Sequence, residues 1–386
     1  MNNPDIRFKG YAGSWEQSKL KDVADKVTEK NTALLVQETF TNSAEFGVIS
    51  QRDFFERDIS NADNIGGYYV IHKEDFVYNP RISTSAPVGP VNRNKLGRSG
   101  IMSPLYTIFR THDVDTTYLE WFFKSRNWHP FMYLNGDSGA RSDRFSIKDT
   151  VFFGMPIPLP CQDEQKRIGA WMNGVDNLIT LNQRKLDTLK NYKKAMLVKM
   201  FPREGQKVPE IRFKGFSGDW DRCKLGDVLR TLPFKAYLKS PEPDGKYEII
   251  QQGNVPIIGY ANGVPCKDYD NTVVLGDHTL SLYKPKSPFF VATDGVRILK
   301  GTDNMNGKYL LYLLERNKPQ SEGYKRYFSI LADQDVLFTT NQNEQLIIGD
   351  CFDTIDNLIT LHHHKLDKLK DLKQALLNKI FVKGGN

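Results

Sequence analysis

Residues 175–201 read VDNLITLNQRKLDTLKNYKKAMLVKMF, and residues 355–381 read IDNLITLHHHKLDKLKDLKQALLNKIF. The two stretches lie 180 residues apart and are identical at 16 of 27 positions. In the first, Met172, Val175, Ile179, Leu186, Leu189, Met196 and Met200 recur in helical steps; in the second, Phe352, Ile355, Ile359, Leu366, Leu369, Leu376 and Ile380 do the same. Such spacing marks a helix with a long, narrow apolar seam, the kind that packs on another helix as a coiled coil. Polar residues interrupt both seams at matched places, Asn182 and Lys193 in one and His362 and Lys373 in the other. A polar seam residue fixes register and orientation at some expense of stability. Pro202, Gly205 and Pro209 end the first helix. A helix of roughly 27 to 30 residues would span about 40 to 45 Å. The seams therefore predict two helices lying against each other as a rigid spacer.

A second repeat precedes each of these stretches. Residues 5–23 read DIRFKGYAGSWEQSKLKDV and residues 210–228 read EIRFKGFSGDWDRCKLGDV, identical at 11 of 19 positions with an offset of 205. The offsets 205 and 180 differ by 25, so the first half holds about 25 more residues between its markers. Ends that match around middles that differ point to one scaffold carrying two unlike surfaces. The expected fold is α+β: two tandem mixed α/β domains separated by two long antiparallel coiled-coil helices, in a pseudo-twofold internal repeat. The expected boundaries are 1–160 for the first domain, 161–205 for the first spacer helix and linker, 206–340 for the second domain and 341–386 for the second helix.

The middles are short-stranded and rich in loops. In the first, GVISQRDFFERDI and GYYVIHKEDFVYNPRISTS carry β-branched and aromatic runs broken by Gly, Asn and Pro. GIMSPLYTIFR reads as another strand pair, and THDVDTTYLEWFFKSR as a helix with Tyr118, Leu119, Phe122 and Phe123 facing a core. In the second, YEIIQQGN, DNTVVLGDHTLSLYK and SPFFVATDGVRILK read as strands, followed by a helix at GKYLLYLLERN. Basic and hydrogen-bonding side chains gather in the loops. The first domain has Asn79, Arg81, Ser83, Ser85, Arg93, Lys95, Arg98, Arg141 and Arg144; the second has Lys284, Lys286, Thr293, Arg297, Lys300, Lys325 and Arg326. Arg and Lys suit phosphates and the guanine edge, and Asn suits adenine, so these are the candidate DNA contacts. The same residue types also form any ordinary solvated surface.

Of 386 residues, 53 are Lys or Arg and 46 Asp or Glu, a net charge of +7 that suits a polyanionic partner. Hydrophobic residues at 39% and aromatics at 12% supply real cores. No apolar run is long enough to span a bilayer, and the first residues lack a secretory pattern, so a cytoplasmic protein is expected. Cys161, Cys223, Cys266 and Cys351 are scattered and read as reduced thiols. His362, His363 and His364 invite a metal, but consecutive helical residues diverge by about 100° and cannot converge on one ion.

Catalytic signatures are missing. Asn79-Pro80-Arg81-Ile82 lacks the second proline and the aromatic of an adenine methyltransferase. Pro4-Asp5 and Pro243-Asp244 are not followed by the Asp/Glu-x-Lys of a metal-dependent nuclease, and no phosphate-binding GxxxxGK[ST] loop occurs. The expectation is a chain with no catalytic site and no metal of its own. A stand-alone DNA-binding regulator or a coiled-coil adaptor remains the alternative.

The sequence resembles the specificity subunits of type I restriction–modification systems. The matching features are the twice-used IRFKG-x-x-G-x-W opener, DFVYNPRI at 75–82, GIMSPLY at 100–106, PIPLP before DEQKRI within 156–168, and the DNLITL helix starts. The second half departs from the pattern: it has no GIMSPLY, and TTNQNEQLIIGD keeps Asn343, Glu344 and Gln345 without the PIPLP approach. The resemblance implies that each domain reads one half of a bipartite, asymmetric site on double-stranded DNA. It implies two adenine-methyltransferase (modification) subunits docked on the helical regions and two restriction subunits with translocase and nuclease activity. S-adenosylmethionine, ATP and Mg2+ are then expected on those partners, with no cofactor on this chain.

Overall fold

In the computed structural model, which describes residues 3–54, 62–138 and 143–381, each long helix is shared between two units of the chain. Unit 1 comprises residues 1–181 and 366–386, and unit 2 comprises residues 182–365.

Unit 1 contains β1 (Glu16–Lys19), β2 (Ala24–Lys26), β3 (Phe40–Ser43), β4 (Gly47–Ser50), α1 (Gln51–Phe54), β5 (Tyr69–Ile71), β6 (Phe76–Tyr78) and β7 (Val91–Arg93). There follow β8 (Gly100–Met102), β9 (Thr107–Thr111), α2 (Thr116–Lys124), α3 (His129–Asn135), α4 (Asp149–Phe152), β10 (Pro156–Leu159) and the start of α5 (Gln162–Lys199). Its main sheet runs β2-β9-β6-β7, all antiparallel. The strand pair expected in GIMSPLYTIFR is corrected: β8 and β9 are both strands, but β8 pairs with β5, and β9 with β2 and β6. A two-residue turn signal is absent between them, so nothing local holds them together. Helix α2 buries Tyr118, Leu119, Phe122 and Phe123 as the pattern requires, capped by Asp115 accepting from the Tyr118 amide.

Unit 2 contains β11 (Asp221–Lys224), β12 (Leu229–Leu232), β13 (Tyr247–Ile250), β14 (Ile257–Ala261), β15 (Thr272–Gly276), β16 (Leu282–Tyr283), β17 (Phe289–Val291) and β18 (Val296–Gly301). Helices α6 (Gly307–Arg316) and α7 (Phe328–Ala332), strand β19 (Asp335–Phe338) and most of α8 (Gln342–Ile380) complete it. Its main sheet runs β12-β18-β15-β16, the same connectivity as in unit 1. The stretch from β4 to β6 holds 25 residues (51–75) against 10 (262–271) from β14 to β15, and the β6–β7 loop holds 12 (79–90) against 5 (277–281). Most of the excess length of the first half lies in these two places. Although the second half lacks PIPLP, β19 takes its part: it pairs with β11 as β10 pairs with β1.

The repeated openers do the same work twice. Arg7 makes a two-pronged ion pair with the fully buried Glu164, at 2.8 Å through Nε and 2.8 Å through a terminal nitrogen, and Arg212 does so with Glu344 at 2.7 and 3.0 Å. Next to each glutamate, a buried glutamine ties two elements together. Gln165 accepts from the Asp115 amide and donates to the Pro160 carbonyl; Gln345 accepts from the Asn306 amide and donates to the Thr339 carbonyl. Asp115 and Asn306 are the N-caps of α2 and α6, so the start of each long helix is locked to the start of a short one.

The long helices contain 38 and 39 residues, which at 1.5 Å per residue is about 57 Å, longer than the sequence pattern suggested. The repeat that marked the seams covers only the later turns of each helix. Gly169 and Gly349 allow close approach. A Cβ on Gly169 would lie 3.0 Å from Thr117 Cγ2, and one on Gly349 would lie 2.9 Å from both Lys308 Cβ and the Tyr309 amide nitrogen. Gly349→Ala gains helix propensity but overpacks this contact, so a net loss of up to about 2 kcal/mol is expected. Gly174→Ala meets nothing within 4 Å and is expected to stabilise. Thermal unfolding of the two variants should move in opposite directions; a rise for both would contradict the close-approach role.

Within unit 1, the last turns of α8 enter the core of the first domain. Leu376, Leu377, Ile380 and Phe381 are buried with Ile168, Met172 and Val175 of α5 and with α2. Phe381 packs 5.5 Å from Tyr118 and 6.1 Å from Phe122 between ring centroids, and Asn127 Nδ2 donates to its carbonyl. Within unit 2, Phe201, just past α5, packs 5.8 Å from both Trp220 and Tyr309. The Ile6 amide donates to the Lys379 carbonyl in unit 1, and the Ile211 amide to the Lys199 carbonyl in unit 2, satisfying carbonyls that a helix end would otherwise orphan.

The polar seam residues have partners. In unit 2, Lys193 bonds Asp356 and Glu315 at 2.9 Å each and lies over the Tyr312 ring, and Asn182 meets His362 at 3.4 Å. These pairings make the two helical segments antiparallel there. In unit 1, Lys373 bonds Asp176 and lies over the Trp121 ring, the matching arrangement. Val175, Asn182, Leu186, Ile355 and Leu366 are buried, while Ile179, Leu189, Ile359, His362 and Leu369 are half-buried. Their neighbours His363 and His364 are exposed.

Candidate nucleic-acid interface

In unit 1, the chain leaving β6 meets a proline at Pro80 and cannot continue the ladder. It forms a loop held on both sides. Phe145 donates its amide to the Pro80 carbonyl at 2.7 Å, and the Ile82 amide donates to the Asp143 carbonyl at 3.0 Å. Arg81 and Arg144 thereby face each other across an antiparallel bridge, with both side chains exposed and neither in an ion pair with a described residue. Asn79 Oδ1 accepts from the Arg81 amide at 3.0 Å, and Asn79 Nδ2 donates to the Asn42 carbonyl at 2.8 Å. Asn42 is buried and donates to the Val77 carbonyl, while Asn92 donates to Asn42 Oδ1 at 2.8 Å. This amide network fastens the β3–β4 hairpin to the loop. Gly89, at φ +83°, closes it; a Cβ there would lie 2.1 Å from the Asn79 carbonyl oxygen. Ser83 and Ser85 bond each other at the loop tip.

The other candidate cations of unit 1 are engaged. Arg93 is buried against Glu120 and Glu74, with a bond to the Thr116 hydroxyl. Glu120 is raised by burial, but Lys124, Arg93 and Lys95 outweigh that and hold its carboxyl below the usual range. Lys95 is exposed and reaches Glu120 at 3.2 Å; Arg98 forms a two-pronged pair with Glu38 at 2.7 Å. Arg141 lies outside the described residues.

In unit 2, Lys300 bonds Asp268, and Arg297 bonds Asp277 at 2.8 Å and lies over the Phe328 ring. Lys284 donates to the Tyr269 carbonyl, and burial pushes its amine down to about 8. Lys286 and Thr293 are exposed. Arg326 is exposed, with Asp294 at 3.9 Å. Two residues not picked out from the sequence stand beside it. His278 stacks on Tyr324 at 4.4 Å with an interplanar angle of 6°, and Tyr324 is 86% exposed. The loop is fixed by Tyr327, whose hydroxyl accepts from the Glu322 amide and donates to the Gly323 carbonyl, each at 2.7 Å. No local pattern marks His278 or Tyr324; only the order of strands in the two sheets could have pointed to them. Among the described residues there is no cluster of three side chains suited to a metal ion, and no helix long and apolar enough to cross a membrane.

Residues 13–191 match the family described as the type I restriction modification DNA specificity domain. The type I restriction enzyme MjaVIII specificity subunit of Methanocaldococcus jannaschii is 24% identical over 323 residues, covering 73% of this chain and 74% of the relative. The putative type I restriction enzyme MjaX specificity subunit of the same organism is 24% identical over 291 residues, covering 68% and 65%. The crystal structure of a type I restriction-modification S subunit from M. genitalium superposes with a TM-score of 0.64 at 15% identity, over 98% of this chain and 99% of that one. A chain of a type I R-M system solved to study complex assembly matches with a TM-score of 0.53 at 16% identity, over 98% and 100%. These structures share the fold.

Proposed function

We infer that this chain, a DNA specificity subunit of the type I restriction–modification family, reads a bipartite, asymmetric site on double-stranded DNA, unit 1 reading one half and unit 2 the other. One observation carries the reading. The two units share sheet connectivity, opener ion pairs and helix ends, yet differ in the loops that leave the sheets. A scaffold held constant under changed loops is how one fold presents two different base-reading surfaces. The long helices then serve as the spacer between half-sites.

In this reading the chain performs no bond-making step. It directs methylation of adenine, or restriction, by partner subunits: two modification subunits and two restriction subunits. S-adenosylmethionine, ATP and Mg2+ belong to those partners, and the complex works in the cytoplasm. Support for two equivalent docking faces comes from exposed apolar residues that repeat at the 180-residue offset, Leu178 with Leu358, Leu181 with Leu361, and Tyr192 with Leu372. Exposed leucines recurring in this way mark a surface made to be covered.

The test is an exchange of residues 24–155 for the corresponding stretch of another specificity subunit, followed by mapping of methylated sites in cells that also make the modification subunit. One half-site should change and the other should persist. A change in both halves, or no sequence-specific methylation from the parent chain, contradicts the reading.

A further inference from the structure

The main sheets, ordered β2-β9-β6-β7 and β12-β18-β15-β16, make the β6–β7 loop of unit 1 the counterpart of the β15–β16 turn of unit 2. Each is caught by a backbone hydrogen bond from the segment that leads into the short helix α4 or α7. In unit 1 the Phe145 amide donates to the Pro80 carbonyl at 2.7 Å; in unit 2 the Tyr327 amide donates to the Asp277 carbonyl at 2.8 Å. Phe145 and Tyr327 are both buried anchors. This shared bond sets a residue-by-residue correspondence that the sequences, differing in loop length, do not reveal. Pro80 matches Asp277, so Arg81 matches His278. Phe145 matches Tyr327, so Arg144 matches Arg326.

We propose that this loop junction is the base-reading element of each unit, with Arg81 and Arg144 setting preference in one half-site and His278 and Arg326 setting it in the other. The proposal rests on the half-site reading above and names the residues that carry it. Three features support it. The backbone at the junction is held by hydrogen bonds on both strands, so the side chains leave from a fixed frame, as base readout demands and phosphate attraction does not. Arg81 and Arg144 form no ion pair with a described residue, and Arg326 has only a distant one, whereas Arg93, Arg98, Arg297 and Lys300 are all bound to carboxylates. A guanidinium fork left open matches the two acceptors of the guanine edge. The frame is common while its side chains differ: two guanidinium groups in unit 1, and an imidazole stacked on exposed Tyr324 beside one guanidinium in unit 2. The same position thus offers a different donor and acceptor pattern in each half.

The experiment selects duplexes from a random-sequence pool with the full-length chain, assembled with its modification subunit, and sequences what is retained. Arg81→Ala with Arg144→Ala should flatten the preference at one or two positions of one half-site by about tenfold or more and leave the other half intact. His278→Ala with Arg326→Ala should do the converse. Arg81→Lys, which keeps the charge and loses the fork, should also lose the preference. Unchanged preferences in both double variants, changes in both halves from either one, or a uniform weakening across all sequences with Arg81→Lys harmless would each overturn the assignment. If the parent chain enriches no sequence, the half-site reading itself fails. If the parent enriches a bipartite site that the variants leave unaltered, only the assignment of residues does.

Discussion

Replacing Phe381 with alanine is expected to destabilise the first unit by about 3–5 kcal/mol, the usual loss for a buried phenylalanine, although the residue lies at the far end of the second repeat. Its ring sits among Tyr118, Phe122 and the closing turns of α8, and its carbonyl receives the Asn127 side chain. Removing it opens a cavity against α2. Hydrogen exchange should therefore accelerate at the amides of α2 while those of α6 keep their protection. Phe201→Ala should give the mirror image, exposing α6, because that ring stacks on Tyr309 and meets Trp220 edge to face. If Phe381→Ala left α2 protected and loosened α6 instead, the assignment of each helix end to its unit would be wrong.

The second large effect is expected at Arg212. Its partner Glu344 is only 1% exposed and also accepts from the Thr339 hydroxyl at 2.7 Å. Arg212→Met leaves that carboxylate buried without its cation, which costs about 3–5 kcal/mol. The double variant Arg212→Met with Glu344→Leu removes both charges and should recover much of the loss, since a buried ion pair replaced whole is often close to neutral. Denaturant titration of the single and double variants gives the comparison. Equal stability of Arg212→Met and the parent would mean that the pair is not closed in solution.

The helical seams and the helix at 116–124 were legible because each repeats at helical spacing, which depends only on neighbours in the chain. Lys193 and Lys373 were visible as lapses in the seam, and their partners Asp356 and Asp176 explain why the lapses are tolerated. The role of Gly169 and Gly349 was not legible, because a missing Cβ matters there only once α2 or α6 lies against it. Among the candidate DNA contacts, residue type could not separate Arg93 from Arg81. Both are arginines near turns, but Arg93 pairs with Glu120, which the chain supplies from α2, while Arg81 makes no ion pair with a described residue and lies opposite Arg144 in a backbone bridge. The pairing of Arg81 with Arg144, and of His278 with Tyr324, depends on where the chain returns after more than forty residues, which no spacing rule encodes.

The hydrogen bond from Ile6 to Lys379 and the one from Ile211 to Lys199 are the same joint made twice. In one case the peptide chain runs through the joint, and in the other it does not. The contacts of the joint in unit 1 therefore hold without the covalent link present in unit 2. A gene rearranged to open near residue 206, with a short tether carrying residue 381 on to residue 5, would encode the same contacts from a different starting codon. In each unit the joint would then keep its hydrogen bond and its buried phenylalanine, whichever side carries the covalent link.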